Sequence, residues 1–381
     1  MGKRGVHKPK PPVGDLRDPD SLYYYLLRFL AWLGDHHYSA HTIDGRDFYL
    51  RSFIAWCDMR GLTRPHDVTK PILESYQRYL FLHRKKNGEP LTIHSQYTHL
   101  APVRAWFKWL SKQNYILYNP GADLDMPRLG HRLPRYVLTQ AEAETVLAVP
   151  DLASATGIRD RAMMETLYST GMRRSELVYL KRHDVDAERG TVMIREGKGR
   201  KDRLIPIGER ALAWIDKYRQ DVRPELATGA DDATLFLSHL GQAFAPIRLT
   251  QLVRDYIDAA KIGKRGSCHL FRHTMATLML ENGADIRYIQ AMLGHASPAT
   301  TQIYAQVSIR MLKTIHAATH PGKPIRPRST TGDAALDAAL FEEGLPATDS
   351  AAELDALLAM LEEDAREEDE DAAGTAGDSN A

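Results

Sequence analysis

Cysteine is nearly absent: Cys57 and Cys268 are the only two in 381 residues, and no Cys-x-x-Cys occurs. A disulfide framework and a thiolate zinc cluster are thereby excluded, and each thiol is expected to be a small core residue. Cys268 beside His269 does not make a nucleophile pair, because adjacent residues in a helix or turn do not face each other. No apolar run approaches the roughly 20 residues that a bilayer-spanning helix needs, and no secretory leader is evident. A soluble protein of the reducing cytoplasm is expected, with no membrane partner. A phosphate-cradling nucleotide loop is also missing: Gly197-Lys198-Gly199 lacks the upstream glycine spacing and has no Ser or Thr after the lysine. His269 and His273 have the spacing of a zinc pair, but Leu270 stands where a metalloprotease carries its glutamate. Neither metal nor cofactor is expected.

The net charge of +1 hides a division. Residues 321–381 hold 4 Lys plus Arg against 16 Asp plus Glu, so the first 320 residues carry a net +13. A basic body suits a protein that displaces counterions from a phosphate backbone.

Residues 1–20, basic and proline-rich, read as a disordered arm. Over 21–117 the apolar spacing predicts four helices: one from Leu22, one after the N-cap Ser39, one after Asp67 ending near Asn87-Gly88, and one from about Thr92 to Lys112. Their bases Arg46, Arg51, Arg78, His94 and Lys108 are candidate DNA contacts. Residues 118–136 have linker composition, and Arg128, Arg132 and Arg135 suggest a strap across a duplex. A mainly helical domain is expected over 137–320, opening at Leu138-Thr139-Gln140. It is interrupted by a small antiparallel sheet between Gly190 and Ile207, whose tip carries Lys198, Arg200 and Lys201. In the acidic tail, 321–381, Leu336, Leu340, Leu354, Leu357, Leu358 and Leu361 mark one or two amphipathic helices.

Four pieces of the chain supply one chemistry. A phosphodiester attacked in line gathers negative charge on its non-bridging oxygens, and two guanidiniums, Arg173 and Arg272, can clamp it. The leaving oxygen needs a proton and a phenol nucleophile needs a base, roles that fit Lys198 and His269. Each piece alone is commonplace; their ordered conjunction is not.

Ser169 to Leu177 (Ser-Thr-Gly-Met-Arg-Arg-Ser-Glu-Leu) resembles the first box of the tyrosine recombinase (phage integrase) family. Gly197 to Arg203 resembles its lysine hairpin, His269-Leu270-Phe271-Arg272-His273 its His-x-x-Arg box, and Leu293-Gly294-His295 with Tyr304 its last box. The pattern is nearest the bacterial Xer branch and covers about 22–321. The resemblance implies Tyr304 as nucleophile, Lys198 as general acid, Arg173 and Arg272 as clamp, His269 as acid/base and His295 as a further phosphate donor. Glu176 would support them from behind. It implies a mainly α fold, with a four-helix core-binding (SAM-like) domain before the catalytic domain. It also implies a site-specific recombinase acting on double-stranded DNA at inverted repeats, through a 3′-phosphotyrosyl ester, in a synaptic tetramer that a second recombinase could share. Alternatives are a type IB topoisomerase-like relaxing enzyme and a non-catalytic DNA-binding scaffold. In the family the helix after the tyrosine docks on a neighbour, so Met311, Leu312 and Ile315 are candidate protein contacts. The tail, which the family pattern does not cover, reads either as a solvating segment or as one that binds a partner protein or the basic cleft of its own chain.

Overall fold

In the computed structural model of the chain, the described residues are 13–322 except 16, 86, 130–135, 198–200, 228–232 and 295–308, followed by 355, 357–362 and 365. The side chains of 41, 196, 197, 201 and 309–311 also lie outside the description. The chain forms two compact units, one ending at His131 and the other spanning Arg132–Glu368.

The first unit is built on α1 (Leu22–Asp35), α2 (Ala40–Asp58), α3 (Lys70–Leu82) and α4 (Ile93–Lys112). Hydroxyls set three of the starts: Ser21, Ser39 and Thr92 accept from the backbone N–H three residues on, at 3.1–3.2 Å, satisfying donors the helix cannot. Apolar positions at helical spacing then meet in a core rich in rings, with Phe29, Phe53, Trp56, Tyr76, Trp106 and Phe107 buried. Cys57 lies within it, and burial pushes its thiol up to about 12, which keeps it protonated and inert. Helix α3 stops at Leu82, short of the expected Asn87-Gly88, because His83 turns extended and Arg84 bridges back to Pro90 around Gly88. Ile116, Leu124 and Met126 join the same core, so the packed unit continues beyond residue 117 into the segment read as linker.

The second unit begins with α5 (Gln140–Leu147), where Thr139 and Glu142 form a reciprocal capping box. Next come α6 (Ala155–Thr170) and α7 (Arg174–Tyr179). A three-stranded antiparallel sheet follows, β1 (Val185–Asp186), β2 (Thr191–Gly197) and β3 (Lys201–Pro206), in that order. Helices α8 (Glu209–Asp221), α9 (Arg223–Leu226), α10 (Pro246–Ala259), α11 (Cys268–Glu281), α12 (Ile286–Leu293) and α13 (Ile309–Thr319) complete it. In the hairpin Val192, Ile194, Ile205 and Ile207 are buried, the period-2 alternation of a half-covered sheet. Helix α6 is buried nearly all round and forms the hub. Its buried Glu165 is matched, receiving Arg161 at 2.7 Å and Arg210 at 2.8 Å.

Helix α13 is pinned to α6. Ring nitrogens of His316 and His320 hydrogen-bond the carbonyls of Ser169 and Tyr168 at 2.8 and 2.9 Å, and burial lowers both imidazole pKa values. Leu312 and Ile315 pack against Met275, Ile289 and Met292, so these two side chains, expected to face a neighbouring protomer, are used in the home core. Beyond the expected boundary at 320, the helical residues 357–362 also belong to this unit, because Leu357 and Leu361 are buried in that same cluster. Leu336, Leu340 and Leu354 lie outside the described residues.

Candidate active site

Two helix ends make the frame. Helices α6 and α12 both end in a left-handed glycine, Gly171 at φ +60° and Gly294 at φ +74°, which a side chain would strain. Arg272, on α11 and only 2% exposed, bridges those ends. Its Nη1 donates to the Gly171 carbonyl at 2.6 Å and its Nη2 to that of Leu293 at 3.0 Å. Carbonyls at helix C-termini carry partial negative charge, so they fix a guanidinium without neutralising it.

Glu176 organises the other cations. From the first turn of α7 its carboxylate accepts from the Arg173 backbone N–H at 2.8 Å and from Arg173 Nη1 at 3.2 Å. It also takes a two-pronged contact from Arg203 at 2.8 and 2.7 Å. Burial would raise the Glu176 pKa, but Arg203, then Arg173 and Arg272, outweigh it and hold the carboxyl at about 2. Two arginines thus bond one carboxylate and the charge of a third acts on it, leaving an excess of positive charge suited to a phosphate. His269 is buried one helical turn before Arg272 and shares its face of α11.

The structure therefore brings together Arg173, Glu176, His269 and Arg272 from the sequence reading. Lys198, His295 and Tyr304 lie outside the described residues, but their flanks do not. The strands beside Lys198 are still paired at Gly197 and Lys201, α12 ends immediately before His295, and α13 starts five residues after Tyr304.

Arg203 received no role from the sequence. Besides Glu176 it donates from Nε to the Met292 carbonyl at 3.1 Å, tying the lysine hairpin to α7 and α12 at once. A signal was present: Arg203 is two residues before Ile205 and four before Ile207, on the inward face of β3, where a cation requires a buried anion.

The candidate DNA contacts are less uniform. Arg78, Lys108 and Arg128 are exposed. Arg51 is held by Asp47 at 2.7 Å and Tyr23 at 3.3 Å, Arg46 lies over the rings of Phe29 and Tyr38, and His94 is half-buried. Arg132, Arg135, Arg200 and the side chain of Lys201 are outside the described residues.

Comparison with known proteins meets this geometry from another side. Residues 136–310 match the family model described as the phage integrase family. Tyrosine recombinase XerC 2 of Ralstonia nicotianae is 50% identical over 78% of this chain and 85% of its own length. Tyrosine recombinase XerD of Pseudomonas putida is 39% identical over 58% and 74%. XerH site-specific recombinase bound to its difH substrate shares the fold, at 20% identity and a TM-score of 0.59, over 77% of this chain and 96% of that one. With Arg173 and Arg203 bonded to one buried carboxylate and Arg272 fixed on two helix ends, and with relatives similar across most of both lengths, the chain belongs to the phage integrase family of tyrosine recombinases, the site-specific DNA recombinases.

Proposed function

We propose that this recombinase cuts and rejoins DNA through Tyr304. The phenol oxygen attacks the scissile phosphorus and forms a 3′-phosphotyrosyl ester, while Lys198 hands a proton to the departing 5′ oxygen. Arg173 and Arg272 clamp the non-bridging oxygens, His295 adds a donor, and His269 serves as acid/base beside them. The ester conserves the energy of the broken bond, so the freed 5′-hydroxyl of the partner strand reverses the step with no nucleotide. The observation that carries this reading is the convergence of Arg173, Arg203 and Arg272 around Glu176, a buried charge arrangement with no apolar purpose.

The binding site would be an inverted repeat, and two such duplexes would meet in a cytoplasmic tetramer, alone or with a second recombinase. Complexes with DNA among the structural neighbours, XerH with difH and a lambda integrase dimer on a core site, support the duplex as partner. Arg78, Lys108 and Arg128, which are exposed, would contribute phosphate contacts. The test is strand exchange between two duplexes carrying a site first mapped by trapping adducts on host replicon DNA. Exchanged product is expected; relaxation of supercoils without exchange would return the topoisomerase-like reading.

A further inference from the structure

The tail returns to the catalytic unit at a specific place. Leu357 and Leu361, one helical turn apart, are completely buried, and Leu358 beside them is nearly so. Leu357 and Leu361 complete a cluster with Met275 and Met279 of α11, Ile289, Met292 and Leu293 of α12, and Leu312 of α13. Met360 Sδ lies 3.7 Å from Gln290 Nε2. The remaining face carries Asp355 and Glu362, within a tail whose charge opposes that of the body.

The groove is not a neutral patch. Met292 and Leu293 bury their side chains under the tail while their carbonyls receive Arg203 and Arg272. Helices α12 and α13, which form two of its walls, bracket the segment 295–308 with His295 and Tyr304. We propose that residues 357–362 are an intramolecular ligand of the α11–α12–α13 groove: this helical piece of the chain's own acidic tail seats the end of α12 against the active-site arginines and thereby tunes cleavage. The docking stands on the contacts alone; its effect on cleavage rests on the recombinase reading.

In the full chain, Gln290→Cys with Met360→Cys should be joined by a short bis-maleimide within one polypeptide, since native Cys57 and Cys268 are buried. No link, or a link only between two chains, would overturn the placement. A labelled peptide of residues 350–368 should bind the full-length variant Leu357→Asp plus Leu361→Asp at least about tenfold tighter than wild type, whose groove is filled. Equal binding to both, or to neither, overturns docking. The same variant should form covalent DNA adducts at least about threefold more slowly with unchanged DNA affinity; an unchanged rate removes the catalytic role. Absence of adducts from wild type as well would count against the recombinase reading, leaving the crosslink and peptide results to decide the docking.

Discussion

Glu176 holds two cations, Arg173 and Arg203, and its two side-chain contacts under 3 Å come from Arg203, 27 positions away. Arg203→Ala leaves a buried carboxylate with the Arg173 backbone N–H and the longer contact from the Arg173 guanidinium, and releases the hairpin from α12. A loss of about 3–5 kcal/mol in unfolding free energy is expected, with a cleavage rate down about 10²-fold from misplacement of the neighbouring groups. Denaturant titration and single-turnover adduct formation read the two effects. Glu176 also titrates usefully. Its folded pKa of about 2 lies below the ordinary carboxylate value, so its stabilisation is full above roughly pH 5 and disappears as pH falls toward 2. Glu176→Gln should therefore cost roughly 3 kcal/mol near neutrality, and the gap to wild type should close across that window. The motifs that hold Arg173, His269 and Arg272 were legible because each is a short local run. Arg203 was not, since its meaning lies in pairing across the fold.

Helix ends and caps carry the next level of control. Gly171→Ala places a methyl 2.2 Å from Met275 Cε at a left-handed position, so the Met275 side chain must shift and the backbone that presents a carbonyl to Arg272 is strained. The melting temperature should fall by several degrees, consistent with about 1 kcal/mol or more of strain plus the clash, and adduct formation should fall with it. Helix α13 supplies a pH signature. His316 and His320 are buried with lowered pKa values, so the unfolded chain binds their protons first. Their stabilisation holds above about pH 6.5, the ordinary imidazole value, and is lost as the pH falls below it. Wild type should lose protection from hydrogen exchange in α13 between pH 7 and 5, whereas His316→Gln with His320→Gln should show a weaker dependence. Most elements were readable from apolar spacing and hydroxyl caps: Ser39, Thr92 and Thr139 all cap helices where the sequence placed them. The early end of α3 was not, because a small hairpin at Arg84–Pro90, rather than a stop residue, ends it.

At the scale of the whole chain, composition announced a basic body with an acidic tail, and the family motifs gave the chemistry. Packing of the tail was beyond the sequence: an amphipathic leucine stripe is visible in it, but the groove that buries Leu357 and Leu361 exists only once α11, α12 and α13 have assembled. The body's charge predicts steep salt dependence, with the logarithm of the binding constant falling by about 0.9 per phosphate contact for each decade of salt. The central claim, that a phenol in the last motif attacks DNA from this arginine frame, has a direct measurement: covalent protein–DNA adducts on a nicked suicide duplex, resolved by denaturing gel for wild type and Tyr304→Phe. Wild type should give an adduct whose peptide map places DNA on Tyr304, and Tyr304→Phe should bind the same duplex while giving none; an adduct from Tyr304→Phe would contradict the account.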